Sequence, residues 1–176
     1  MTAPLYRRLL AERFAVLPAR VRELHDVTAT QVWSGRADVE RGQSWAARAA
    51  ATLLRLPSGG KDRPLRVTFT PVDGTEVWTR AFGDKVFRSV QFERGGLLCE
   101  RVGPTCLEFA PEASAEGLAL PLRGARCLGI PLPRLLHPRG RTFESERDGR
   151  YRFEVESHLP MVGLLVRYAG WLERVR

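Results

Sequence analysis

Arg80 is a charge set between two large aromatics. The segment Glu76-Val77-Trp78-Thr79-Arg80-Ala81-Phe82 alternates at the period of a β-strand, so Trp78, Arg80 and Phe82 share one face. Burying a guanidinium there without a partner would cost on the order of several kcal/mol. Arg80 therefore marks a buried ion pair, a ligand pocket, or a face that is not core. On a core face it would stack on Trp78 and pair with an acid, Glu100 being a candidate. Around a cavity in a curved sheet, Arg80, Gln91 and Glu100 would be polar fittings, and Trp78, Phe82 and Phe87 apolar lining. That mixture is usual for a small-molecule site.

Other chemistry is sparse. There is no GxSxG, no GxGxxG after a strand and no Walker motif. Ser58-Gly59-Gly60-Lys61 lacks the upstream strand, the first glycine and the following Ser or Thr of a phosphate loop. Glu93, Glu100, Glu108, Glu144 and Glu146 could pair for acid–base work, although carboxylates at strand edges are usually solvated. His25 closes a helix beside Asp26, where it can bond the last carbonyls and favour the helix dipole. His25, His137 and His158 are far apart, and Cys99, Cys106 and Cys127 are odd in number without CxxC spacing. No metal site, disulfide framework or cofactor is expected.

Composition narrows the class. The chain has 176 residues, 44% hydrophobic and 27% charged, which fits one domain over 1–176 with a sizeable core. The net charge is +8, but the only lysines are Lys61 and Lys85, and the arginines are spread from Arg7 to Arg176. No basic block interleaves with aromatics, so nucleic-acid binding is not expected. No apolar run approaches the roughly 18–20 residues of a membrane span, and the N-terminus has no signal-like apolar core. The expected location is cytoplasmic.

Periodicity supplies the elements. Leu5, Leu9, Leu10, Phe14 and Leu17 recur at helical spacing, and Pro18 breaks that helix and starts a second with Val21 and Leu24 inward. Helices are expected over 4–25 and 45–56, the latter capped by Ser44 and closed by Pro57. A strand is expected over 27–41, interrupted at Gly35, then a polar loop over 58–63 and strands from 64 to 174. Leu118 to Arg126 reads as one strand. Leu128 to Pro133 is too proline-rich for regular structure, and Arg134 to His137 reads as one helical turn.

Three turn dipeptides set a register: Asp73-Gly74, Gly83-Asp84 and Gly95-Gly96. They place Phe69 opposite Trp78, Val67 and Phe87 opposite Arg80, and Gln91 opposite Glu100. The last hairpin allows two registers. A three-residue loop, Arg147-Asp148-Gly149, sets Glu144 against Arg152 and Phe143 against Phe153. A two-residue loop sets Glu144 against Phe153. The first gives an ion-paired outer face and an aromatic inner one, and is the expected register.

Several stretches together resemble a bacterial family catalogued as domain of unknown function 4166. They are Leu5-Tyr6-Arg7-Arg8-Leu9-Leu10 with Leu17-Pro18 and Leu24-His25; Trp78 to Gly83; Leu128 to Pro133; and Leu159-Pro160 through Gly163-Leu164-Leu165-Val166 to Tyr168 and Gly170-Trp171-Leu172. The resemblance implies no established activity. It does imply association with a saccharopine-dehydrogenase-like NAD(P)-binding domain, whose glycine-rich fingerprint this sequence lacks.

The expected fold is α+β: a large curved antiparallel sheet packed by N-terminal helices, with a partly closed barrel as its more wrapped form. The expected function is non-enzymatic binding of a small molecule or lipid by Trp78, Arg80, Phe82, Phe87, Gln91 and Glu100. The alternatives are an enzyme or accessory domain acting with an NAD(P)-dependent partner protein, with His25 or a sheet carboxylate as its acid–base group, and a protein-interaction module.

Overall fold

The computed structural model describes residues 3–53, 56–83 and 85–175. Leu54 and Arg55, near the expected end of the alanine-rich helix, and Asp84 of the second turn lie outside them. The chain opens with α1 (Leu5–Leu10), a 3-10 helix (Ala11–Val16) and α2 (Ala19–His25). Tyr6, Leu10, Phe14, Val21 and Leu24 all turn inward. The expected helix over 4–25 is thus three pieces. The first α-helix ends as Ala11 takes a left-handed φ of 48°, and α2 starts after Pro18.

β1 (Gln31–Arg41) follows, then α3 (Trp45–Leu53). Ser44 Oγ caps α3, accepting from the Ala47 N–H at 3.1 Å. The antiparallel meander is β2 (Gly60–Val72), β3 (Thr75–Phe82), β4 (Lys85–Arg94), β5 (Leu97–Val102) and β6 (Thr105–Phe109). Then come β7 (Glu112–Ala113), β8 (Gly117–Ala119), β9 (Leu122–Cys127) and β10 (Ile130–Pro131). After a 3-10 turn at Arg134–Leu136, β11 (Arg139–Arg147), β12 (Arg150–Leu159) and β13 (Gly163–Arg174) complete the fold.

Several boundaries differ from expectation. The strand expected over 27–41 begins only at Gln31. Within the proline-rich stretch from Leu128 to Pro133, Ile130 and Pro131 form a short strand, because Pro131 needs no N–H on the open side of an edge. The polar loop over 58–63 is already strand from Gly60, because β2 pairs back to Val39 across a bulge at Lys61-Asp62. The strand expected over 118–126 is split at Leu120-Pro121, where proline has no N–H to give a ladder.

All strands join one sheet in the order β10-β9-β6-β5-β4-β3-β2-β1-β13-β12-β11-β8-β7. Among the described residues it does not close into a ring of paired strands. A bent hairpin spans its two arms instead: β6 and β9 extend the arm from β5, while β8 pairs with β11 and β7 with β8. At the bend, the Ala110 N–H donates to the Pro121 carbonyl and the Leu120 N–H to that of Thr142, both at 3.0 Å. Gly35 does not interrupt β1. It lets β13 approach so closely that a Cβ there would lie 1.9 Å from the Trp171 carbonyl oxygen.

Antiparallel pairing gives the sheet two ends. The turns at 73–74, 95–96 and 148–149 share one, and α1 and α2 cover it. Arg8 Nη2 donates to the Gly74 carbonyl at 2.7 Å, and Arg20 Nε to that of Gly149 at 2.8 Å. The other end holds α3, the turns at 103–104 and 160–162, and the loop from 128 to 138. One apolar cluster fills the curl, from Leu5 and Tyr6 through Trp33, Phe69 and Phe82 to Phe153 and Leu172.

Candidate functional site

The three short turns produce the register their dipeptides imply. Phe69 faces Trp78, Val67 faces Arg80, Arg80 faces Phe87, and Gln91 faces Glu100. The alternation of β3 then sends Glu76, Trp78, Arg80 and Phe82 into the curl together.

Arg80 is ion-paired and hydrogen-bonded inside the curl. Its Nη1 donates to Ser89 Oγ at 2.7 Å and its Nη2 to Glu100 Oε1 at 3.0 Å. The guanidinium carbon lies 4.8 Å from the Trp78 ring centroid and 5.2 Å from that of Phe87. Burial pulls the Arg80 pKa down. The fields of Glu100 and Tyr168 and the hydrogen bond to Glu100 outweigh that, so the net direction is up. The charge between aromatics is thus a paired, stacked cation.

The last hairpin takes the two-residue register. Glu144 pairs with Phe153, Ser145 with Arg152 and Glu146 with Tyr151, not Glu144 with Arg152 and Phe143 with Phe153. The reason lies in the turn. Asp148 at φ 55° and Gly149 at φ 70° both occupy the left-handed region, as a type I′ loop requires. The slip turns Phe143 outward, under the Arg141 guanidinium at 5.1 Å, and sends Glu144 inward.

Glu144 finds its partners across the molecule. His25 Nε2 is hydrogen-bonded to its Oε2 at 2.5 Å, and the Glu144 charge lies close enough to the Tyr151 hydroxyl to help raise that group. His25 therefore serves a sheet carboxylate 119 residues away, not the carbonyls of its own helix. Its ring lies 3.8 Å from that of Tyr6, centroid to centroid, and the Tyr6 hydroxyl donates to Gln91 Oε1 at 2.9 Å. Trp78 Nε1 donates to Glu76 Oε2 at 3.0 Å. Burial pushes the Glu76 carboxyl above its ordinary value, opposed by that hydrogen bond and by His25. Burial likewise raises Tyr6 and Tyr151 well above 10, and Tyr168 to about 12, so all three hydroxyls are donors at neutral pH.

Above this network is a cavity of about 80 Å³. Of the residues predicted for a site, Trp78, Arg80, Phe82, Gln91 and Glu100 line it. Phe87 stands behind Arg80, not in the wall. The opposite arm adds Thr142, Glu144, Tyr151, Phe153, Val155 and Tyr168. Of these, sequence reading names only Glu144 as a candidate, and for acid–base work, not as part of the cavity wall. The two-residue spacing of Asp148-Gly149 is the signal that turns Thr142 and Glu144 inward. Thr142, Val155 and Tyr168 form one cross-strand row of half-buried side chains in this wall. His25 is not in the wall and reaches the cavity only through Glu144.

The other carboxylates go elsewhere. Glu108 is held below the usual carboxylate range by hydrogen bonds from Arg126 and Arg94, against burial. Glu146 accepts from the Arg20 N–H, and Glu93 lies 3.8 Å from Arg8. Among the described residues, no group of three His, Cys, Asp or Glu converges as a metal site. None of their helices is long and apolar enough to cross a membrane.

No curated protein and no solved structure matches the chain. A family model does, over residues 17–172, from the hairpin-covering helices to the last strand. The chain therefore belongs to the family described as domain of unknown function DUF4166.

Proposed function

We propose that the chain binds a small, largely apolar molecule, or the apolar segment of a lipid, inside the curl of its sheet. One observation carries the reading: aliphatic and aromatic side chains from both arms surround a space that also presents Thr142, Glu100, Glu144 and Tyr168. The volume of about 80 Å³ lies well below the roughly 300–1,000 Å³ of pockets that enclose a drug-sized ligand, so it suits one small group or chain segment. Because Glu100 already neutralises Arg80, the ligand need not be an anion. In the accessory form of this reading, the chain presents its ligand to a separate NAD(P)-binding protein.

Native mass spectrometry of the purified protein tests the reading, together with thermal shifts against a panel of fatty acids and small apolar compounds. A ligand at a hundred times its Kd adds about 2.7 kcal/mol. For a chain of this size that is a rise in Tm of about 5–11 °C. Val155→Trp, which fills the cavity from a half-buried position, should abolish the rise and leave the unliganded protein folded. A rise that survives the filled cavity would refute the site.

An acid–base role is the second reading, favoured by the placement of Glu144 in the wall with His25 behind it. It requires the bound compound to be recovered chemically altered, and Glu144→Gln to stop that change.

A further inference from the structure

Ten large apolar side chains are exposed among the described residues, and six of them gather at one end of the sheet, while the valines Val16, Val72, Val86 and Val175 stand outside that group. Trp45, Leu128, Ile130, Leu135, Leu136 and Met161 are 80, 78, 68, 72, 49 and 100% exposed. All six stand at the end of the sheet that α1 and α2 leave uncovered. Pairing ties their positions together. Ile130 pairs with Cys127 and Leu132 N–H donates to the Ala125 carbonyl, which folds the 128–136 segment back on β9. That segment leads within three residues to Arg139, which pairs with His158 beside the 160–162 turn. Ser44, next to Trp45, donates to the Val162 carbonyl at 3.3 Å.

The same end is basic. Between Gly117 and Phe143 the sequence has five arginines and no acid. Arg123 and Arg126 face Glu112 and Glu108, while Arg134 and Arg139 are exposed at the rim, as are Arg48, Lys61 and Lys85. The exposed acids there are Glu40, Asp38, which accepts from the Asp62 N–H at 2.7 Å, and Asp62, which Arg36 engages at 2.8 Å. Separate side chains projecting from a helix start, a loop and a turn do not form a groove. A protein partner would need a pocket for each, whereas a bilayer accepts each one independently.

We propose that this end docks on the surface of an anionic lipid bilayer, with Leu128, Ile130, Leu135, Leu136, Met161 and Trp45 entering the acyl boundary and the rim cations lying among the headgroups. The proposal stands whether or not the cavity takes a ligand, since it concerns the rim and not the interior.

Co-sedimentation of the full chain with vesicles tests it, comparing phosphatidylcholine alone with phosphatidylcholine containing phosphatidylglycerol. Binding is expected to the mixed vesicles only, and to weaken as salt is raised. Ile130→Asp and Leu135→Asp should each lower partitioning about tenfold. Their thermal midpoints should stay unchanged, because both side chains are already in solvent. Arg134→Gln with Arg139→Gln should flatten the dependence on anionic lipid. Trp45 fluorescence should shift to the blue on binding, and Trp45→Phe should lose that component. Equal sedimentation with both vesicle types, none with either, or unchanged partitioning of the aspartate variants would overturn the proposal. So would a dimer in gel filtration that Ile130→Asp dissolves, which would assign the face to a second copy.

Discussion

Arg80→Met separates a structural cation from a ligand-seeking one. The Arg80 side chain is 11% exposed and its partner Glu100 20%. Removing one member of a fully buried pair costs about 3–5 kcal/mol. The water that reaches Glu100 reduces this to about 2–3 kcal/mol, and the lost contact with the Trp78 ring adds about 0.5–1 kcal/mol. Methionine keeps most of the apolar stem, so little packing is lost. The sum, about 3 kcal/mol, corresponds to a fall in Tm of about 6–12 °C for a chain of this length. Glu100→Gln alone should cost less, because an amide oxygen can still accept from Arg80. The double variant should be more stable than the two single losses imply, with a coupling of about 2 kcal/mol. Urea unfolding followed by tryptophan fluorescence measures all four corners of the cycle. A coupling under about 0.5 kcal/mol, with an Arg80→Met loss of similar size, would refute the pairing argument.

Two further outcomes follow from the same geometry. The folded protein holds the Glu76 proton more tightly than the unfolded chain, since burial raises that carboxyl above its ordinary 4.5. Its contribution to stability is full below about pH 4.5 and lost as pH rises through the folded value. Glu76→Gln should therefore gain on the native protein in urea midpoint between about pH 4 and pH 7, and a constant difference across that window would contradict it. Gly149→Ala should cost about 1 kcal/mol, a Tm fall of about 2–4 °C, because its φ of 70° is strained for alanine while no atom lies within 4 Å of the new Cβ. No measurable loss would argue against a left-handed residue there.

What the sequence revealed, and where it failed, has one physical basis. Turn dipeptides fix register locally, and alternation then fixes the face. Those two rules placed Trp78, Arg80, Phe82, Gln91 and Glu100 around one space. The same rules applied to Asp148-Gly149 would have placed Glu144. The register with Glu144 facing Arg152 rests instead on an ion-paired outer face, which the hairpin does not form. Surface ion pairs contribute little, so they were poor grounds for choosing a register. A buried Glu144 looked costly because its compensation comes from His25, on a helix whose position no local pattern reveals. The bend at Leu120-Pro121 was hidden for a related reason. It depends on a carbonyl of β11, which lies later in the chain.

The placement of β1 between β2 and β13 sets an order of events during synthesis. Trp33, near the start of β1, pairs with Arg174, near the last described residue. The strand is central in space yet among the first to be made. Until β13 emerges, β1 has an open edge, and His25 and Glu144 have not met. A topology so dominated by distant pairings belongs with domains that fold in milliseconds to seconds. Until β13 is made, the nascent chain therefore carries a half-finished sheet with a bare hydrogen-bonding edge, the kind of surface through which incomplete chains aggregate.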